Sequence, residues 1–391
     1  MALEEYRKQV ANLSVNDQKL RDVYLRKLAL GEIQGPPTGY ASLDQPWLKL
    51  HKAYPTKDLS DCTSIYDMIF KNCDLKDDAI SFLDGKCNWT FQKLKDKTDE
   101  CIDALKKIGV QEGDNVLFGV TNTPEMIATL IATVSLGASA KFFDIRANSK
   151  EIANYANSSN CKFMICLDSI VLPKVKESID LTKLEKVFVL RPGNSLSPIE
   201  KIKYLYDNRK NTKLSELIKK EALPTDSRYQ ELTYLIRKGN KKQAKRVESD
   251  FSRPAIKVQS SGTTGKAKTI VHSEKSAIEF SKSIAQADLP LGKGKSTLVA
   301  LPPWIAYGLG DAILMSLALG SKVMLCADFD PNAVHRNVGN FTLAYAAPFH
   351  YRFLRDHYDE LSDTQKRYLR ENVDCMITGG DKYSAQENLS D

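Results

Sequence analysis

Ser260-Ser261-Gly262-Thr263-Thr264-Gly265-Lys266-Ala267-Lys268 holds two glycines, four hydroxyl residues and two lysines in nine positions. Glycine lets a backbone turn close to a ligand without a Cβ clash. Hydroxyls and exposed N–H groups donate to phosphate oxygens, and lysine adds charge. The stretch reads as a phosphate-binding loop. A Walker loop needs glycine, four residues, then Gly-Lys-Ser/Thr. Ser260 stands where its first glycine belongs, and Ala267 where a magnesium-holding hydroxyl belongs. That argues against a P-loop phosphotransferase, and the dinucleotide pattern G-x-G-x-x-G does not fit either. Taken alone, the stretch is also compatible with a polar glycine loop that binds nothing.

Working outward, residues 255–258 read as a strand entering the loop and 269–272 as the strand leaving it. Helix 274–285, strand 297–301, helix 308–318, strand 322–326, strand 341–345 and helix 349–357 follow. Strand 373–377 then runs into Thr378-Gly379-Gly380. Towards the N-terminus, 80–83 and 87–90 read as a hairpin about Asp84-Gly85. Thr90 caps a helix that stops at Gly109, and Thr123-Pro124-Glu125 opens another, with proline suited to its first turn. Strands at 115–120, 138–143, 162–167 and 187–190 alternate with these helices. Strand, helix, strand in succession predicts an α/β fold with parallel sheets. The expected organisation is a helical arm and linker over 1–55, a first α/β subdomain over 56–194, a lysine-rich helical insertion over 195–250 and a second α/β subdomain over 251–391.

Composition narrows the function. The chain has 391 residues, 42% hydrophobic and 27% charged, which excludes collagen-like, disordered and coiled-coil classes. No apolar run is long enough to span a membrane, and the N-terminal residues lack a secretory pattern, so the expectation is a cytoplasmic protein. Eight cysteines with no C-x-x-C spacing predict reduced, packed thiols and no metal site. The formal charge of +7 tolerates a polyanionic ligand. The basic run Arg237, Lys238, Lys241, Lys242, Lys245 and Arg246 has no interleaved aromatics, so no nucleic-acid partner is expected.

The loop is one of an ordered set. Trp89-Thr90-Phe91 with Ile108-Gly109-Val110, Asn122-Thr123-Pro124-Glu125 with Leu136-Gly137-Ala138, and Val271-His272-Ser273 stand in order along the chain. Pro302-Pro303-Trp304-Ile305-Ala306-Tyr307-Gly308-Leu309, Ala347-Pro348 and Thr378-Gly379-Gly380-Asp381 follow them. From about residue 60 the chain resembles the adenylate-forming, AMP-binding superfamily, and within it the acyl-CoA synthetases. Residues 260–268 match the family's phosphate-loop signature at each position. The resemblance departs from the family at Lys257 and Ile305, and does not reach residues 1–55 or 195–250.

The resemblance implies ATP-dependent activation of a carboxylic acid to an acyl-adenylate, then thioester formation with CoA or a carrier phosphopantetheine. It implies catalytic roles for Thr263, Thr264 and Lys268, and loop-shaping, phosphate-binding roles for Ser260, Ser261, Gly262 and Gly265. Gly379, Gly380 and Asp381 would line the adenine site, and Trp304, Tyr307 and Gly308 the acid pocket. His272 and His350 are read as structural. Family members also carry a magnesium-holding Glu and a C-terminal domain with a catalytic lysine. Neither has a counterpart before Asp391, so the chain is expected to be the N-terminal portion of such a ligase and inactive alone. The alternative is a non-catalytic adenine-nucleotide-binding fragment or degenerate homologue.

Overall fold

The computed structural model describes residues 56–71, 73–82, 86–168, 170–196, 222–259, 268–287, 289–327 and 329–379. The chain divides into two compact units, one of residues 1–55 with 283–289 and one of 56–282 with 290–391. The second unit carries both sheets. The arm expected over 1–55 lies outside the described residues, as does the turn Asp84-Gly85.

In chain order the strands are β1 (Asp78–Phe82), β2 (Cys87–Thr90), β3 (Asn115–Gly119), β4 (Ser139–Phe142), β5 (Phe163–Leu167), β6 (Lys186–Leu190) and β7 (Tyr229–Glu231). Then come β8 (Pro254–Gln259), β9 (Thr269–Ser273), β10 (Ser296–Val299), β11 (Lys322–Leu325), β12 (Leu343–Ala346) and β13 (Cys375–Thr378). They form a six-stranded sheet ordered β13-β12-β10-β11-β1-β2 and a seven-stranded sheet ordered β7-β6-β5-β3-β4-β8-β9. Each sheet is parallel except for one antiparallel edge pair, β1 with β2 and β8 with β9. The α/β expectation is met. Strands such as β5, wholly buried and apolar, are what a parallel sheet covered on both faces requires.

The sheets do not follow the division drawn from the sequence at residues 194 and 251. The β1–β2 hairpin joins the later strands through β11, and the β8–β9 hairpin joins the earlier ones through β4. Crossover connections let a strand dock beside a partner far away in sequence, so rhythm alone does not reveal neighbours. Nor are residues 222–250 only surface helix and loop. Tyr229–Glu231 adds a parallel edge strand to β6, and the following turn of helix buries Leu232, Leu235 and Ile236.

The helices include α1 (Ile65–Phe70), α2 (Phe91–Lys107), α3 (Pro124–Ser135), α4 (Ser149–Ser158), α5 (Glu274–Gln286) and α6 (Pro348–Asp356). Thr90 caps α2 by accepting from Lys93 N at 3.2 Å, and Thr123 caps α3 by accepting from Met126 N at 3.1 Å. Every residue of α3 is buried, because the helix packs on α2, β4 and α1. That explains why apolar residues occur all round the helix. Among the described residues no helix is long and apolar enough to cross a membrane.

Two consecutive polar residues join the sheets. After β3, the Thr121 hydroxyl donates to Ala327 O, and Asn122 Nδ2 donates to Leu301 O at 2.8 Å and Cys326 O at 3.1 Å. The acceptors follow β10 and β11 of the other sheet. Both side chains are fully buried, where an unpaired carbonyl is costly.

Candidate active site

Gln259 at the end of β8 pairs with Thr269 at the start of β9. The glycine-hydroxyl stretch therefore connects two hydrogen-bonded antiparallel strands at a sheet edge. Ser260, Ser261, Gly262, Thr263, Thr264 and Gly265 lie outside the described residues, as do Gly380 and Asp381. Lys268, the residue before β9, is exposed.

Beside this hairpin is a cavity of about 340 Å³. Ile256 and Val258 of β8, His272 of β9, and Ser276, Ala277, Phe280 and Ser281 of α5 form one side. Ala306, Leu309, Gly310, Asp311 and Leu314 form the other. The volume falls within the usual range for a small-molecule site, and a mostly apolar wall with a few polar groups is the usual lining.

The second wall is a π-helix, Tyr307–Leu314, that continues as α-helix through Met315–Ala318. An ordinary helix was expected over 308–318. Met315 N instead donates five residues back, to Gly310 O. Gly308 and Gly310 weaken the preference for regular α-helix, and π-turns recur at functional sites. Gly308 has a second reason to be glycine: a Cβ there would lie 2.2 Å from Pro302 O.

The three residues expected in an acid pocket sit around this helix, and none lines the cavity. Trp304 is buried edge-on against Phe329, with ring centroids 4.9 Å apart. Tyr307 meets Tyr345 edge-on at 5.7 Å and also borders Gly379, while Gly308 abuts Pro302. The Tyr307 hydroxyl is buried and has no hydrogen-bond partner among the described residues. Burial raises the phenol pKa of both tyrosines, with Asp311 a further contributor.

Asp311 was not singled out from the sequence. Its carboxyl is pushed up to about 6 by burial alone. The signal was legible in hindsight, as one acidic residue inside the apolar run 308–314. His272, read as structural, faces the cavity, and its Nε2 has no partner among the described residues. His350 behaves as read: it is buried in the first turn of α6, and its Nδ1 accepts from Ala347 N at 3.2 Å.

Lys257, noted as a departure from the family pattern, stands opposite Lys141 across the β4–β8 pair. The two ammonium groups have separate acceptors. Lys141 donates to Tyr155 O at 3.0 Å and to Ser159 Oγ at 2.6 Å, at the C-terminal end of α4. Lys257 donates to Asn115 Oδ1 at 2.5 Å. Burial lowers both lysine pKa values, and the neighbouring Lys257 charge lowers that of Lys141 further, while the helix C-terminus gives the Lys141 ammonium acceptors.

The profile of the AMP-binding enzyme family matches residues 69–387. The chain belongs to that family. Over 264 residues it is 26% identical to peroxisomal OPC-8:0-CoA ligase 1 of Arabidopsis thaliana, covering 67% of this chain and 42% of that protein. It is 21% identical over 269 residues to the 3-hydroxybenzoate/4-hydroxybenzoate CoA ligase of Thauera aromatica, covering 68% and 45% respectively. The chain thus spans less than half the length of these curated relatives.

Solved structures share the fold. The anthranilate CoA ligase AuaEII with anthranoyl-AMP superposes with a TM-score of 0.61 at 18% identity, over 75% of this chain and 52% of that one. The N-terminal domain of FACL13 from Mycobacterium tuberculosis gives 0.62 at 18% identity, over 83% and 72%.

Proposed function

We propose that this chain provides the nucleotide- and acid-binding part of an AMP-forming acid–thiol ligase. The reaction is attack of a carboxylate on the α-phosphate of ATP, giving acyl-adenylate and pyrophosphate, then transfer of the acyl group to CoA or a carrier thiol. The observation that carries this reading is the phosphate-loop sequence spanning β8 and β9 beside an apolar cavity whose walls include both strands. One hairpin thus supports a loop for phosphate and a wall for an acid's tail.

The first step builds negative charge on the transferred phosphoryl group and the departing pyrophosphate. Fixed donors and cations are the protein's contribution. We assign that role to Thr263, Thr264 and Lys268, on a loop shaped by Ser260, Ser261, Gly262 and Gly265. Gly379, Gly380 and Asp381 would border the adenine. Gly379 adjoins Tyr307, so base and acid would meet near the start of the π-helix, with Trp304 and Gly308 holding it in place. The cavity would take the acid's tail. Magnesium accompanies ATP in this chemistry, but the described residues contain no group of three metal-type side chains, and we assign it no ligand. The eight free thiols support a cytoplasmic setting.

The test is acid-dependent release of pyrophosphate from ATP, with mass-spectrometric detection of the acyl-adenylate, across aliphatic and aromatic acids. Adenylate formed with at least one acid supports the reading. ATP binding with no acid-dependent product would favour a non-catalytic nucleotide-binding module.

A further inference from the structure

Among the described residues, the buried and half-buried carboxylates have partners, with Asp311 the exception. Asp99 accepts from the Tyr66 hydroxyl at 2.7 Å and from Lys95 at 2.8 Å. Asp103 accepts from Lys107 and from Asn240 N, Glu125 from Ser195 Oγ, and Glu274 from Ile65 N. Asp168 lies against Arg191. Asp311 has neither a hydrogen bond nor an ion pair among the described residues, yet it is half-buried in the cavity wall. Around it the wall is Ile256, Val258, Phe280, Ala306, Leu309 and Leu314. The nearby polar side chains do not neutralise it. The Ser276 hydroxyl is engaged with Ser273 O at 2.8 Å, and Tyr307 and Tyr345 are uncharged phenols.

A carboxylate facing an apolar cavity is costly unless something that enters it supplies charge and donors. We propose that the acid taken by this cavity carries an amino group on its tail, and that Asp311 selects it. This rests on the acid-activating reading above and names its substrate class. An ammonium brings a positive charge and three donors, whereas a hydroxyl brings one neutral donor and leaves the carboxylate charge uncompensated. The cavity of about 340 Å³ lies at the small end of the range for ligand sites. The class is therefore a medium-length aliphatic or single-ring aromatic acid with a distal amine. His272 Nε2, also without a partner among the described residues, is the second polar contact available to such a tail.

The test uses acids matched in length that differ only at the far end: 8-aminooctanoate, 8-hydroxyoctanoate and nonanoate, and 4-(aminomethyl)benzoate with 4-ethylbenzoate. Calorimetric affinities are measured for wild type, Asp311→Asn and Asp311→Leu, with chemical denaturation confirming that each variant is folded. In wild type the amino acids of at least one series should bind tenfold or more tightly than their methyl counterparts. Asp311→Asn should remove that preference, and Asp311→Leu should reverse it. Should the leucine variant not fold, the asparagine variant decides alone. Preference for the methyl or hydroxyl acids in wild type, or an amine preference untouched by Asp311→Asn, overturns the assignment while leaving acid activation standing. Binding of no acid at all overturns both.

Discussion

The backbone of Gly379 stands against the ring of Tyr307: a Cβ built at Gly379 would lie 3.4 Å from Tyr307 Cε1. Gly379, the residue after β13, and the first residue of the π-helix are thus neighbours, though 72 residues separate 307 from 379 in the chain. A methyl at that distance makes an ordinary contact. Gly379→Ala should therefore leave stability within about 0.5 kcal/mol. If Gly379 borders the base, the same methyl removes space the nucleotide needs, and ATP affinity should fall at least threefold. Paired denaturation and calorimetry check this; unchanged affinity would separate Gly379 from the nucleotide.

At Gly308 the opposite balance holds. With Pro302 O only 2.2 Å from a would-be Cβ, the backbone itself must shift. Gly308→Ala should destabilise by roughly 1–3 kcal/mol, the usual range for overpacking. Gly310, which has nothing within 4 Å of its Cβ position, supplies the control, and Gly310→Ala should cost far less. Denaturant midpoints of the two variants test the contrast.

Asn122 predicts a larger effect through the seam between the sheets. Asn122→Leu keeps similar bulk but strips the donor from Leu301 O and Cys326 O. Withdrawing a donor from a buried carbonyl costs about 1–3 kcal/mol, and loss of Asn122 Oδ1, itself buried without a partner among the described residues, offsets part of that. A total loss of about 2–4 kcal/mol is expected in urea unfolding. A change below 1 kcal/mol would mean that the seam relaxes or admits water.

Most of the elements were legible because their signals are local. Thr90 and Thr123 act at once as caps and as boundary markers, and apolar runs such as 163–167 suit only a strand covered on both faces. Partnering was not local: nothing in Pro254–Gln259 says that β4 will be its neighbour. The π-helix was missed because Gly308 answers to the Pro302 carbonyl, which the fold of 302–308 brings against it and no residue pattern marks. For the candidate site, sequence pattern marked the loop, the 304–308 segment and the Gly379 turn. It passed over Asp311 and Phe280, which no motif names and which matter only because folding sets them around one cavity.

Lys268 tests the nucleotide reading directly. A charged hydrogen bond is worth about 1.5–3 kcal/mol, so Lys268→Ala should weaken ATP binding by roughly 10- to 100-fold. Lys268 is exposed, so stability should change by no more than about 0.5 kcal/mol. Calorimetry with ATP and with adenosine separates the causes. A loss confined to ATP places the lysine on phosphate, and an equal loss for both ligands would point to a general disturbance of the hairpin.

Asp311 also makes stability depend on pH. Burial pushes its carboxyl up to about 6, against about 3.9 for an unperturbed aspartate. Between pH 4 and 6 the folded chain holds this proton and the unfolded chain releases it. Raising the pH across that window therefore lowers stability, and the penalty is fully present above pH 6. The neighbouring groups, Tyr307 on the same helix, Tyr345 on β12 and His272 across the cavity, are present in wild type and variant alike. Asp311→Asn should be more stable than wild type at pH 7.5 by about 1–2 kcal/mol, a figure reduced for the solvent that reaches the carboxyl. The gap should shrink steadily on acidification and vanish near pH 4. Urea unfolding of both proteins at half-unit steps from pH 4 to 8 gives the difference curve. A gap that is flat with pH would show that the Asp311 carboxyl is not held out of water by the cavity wall.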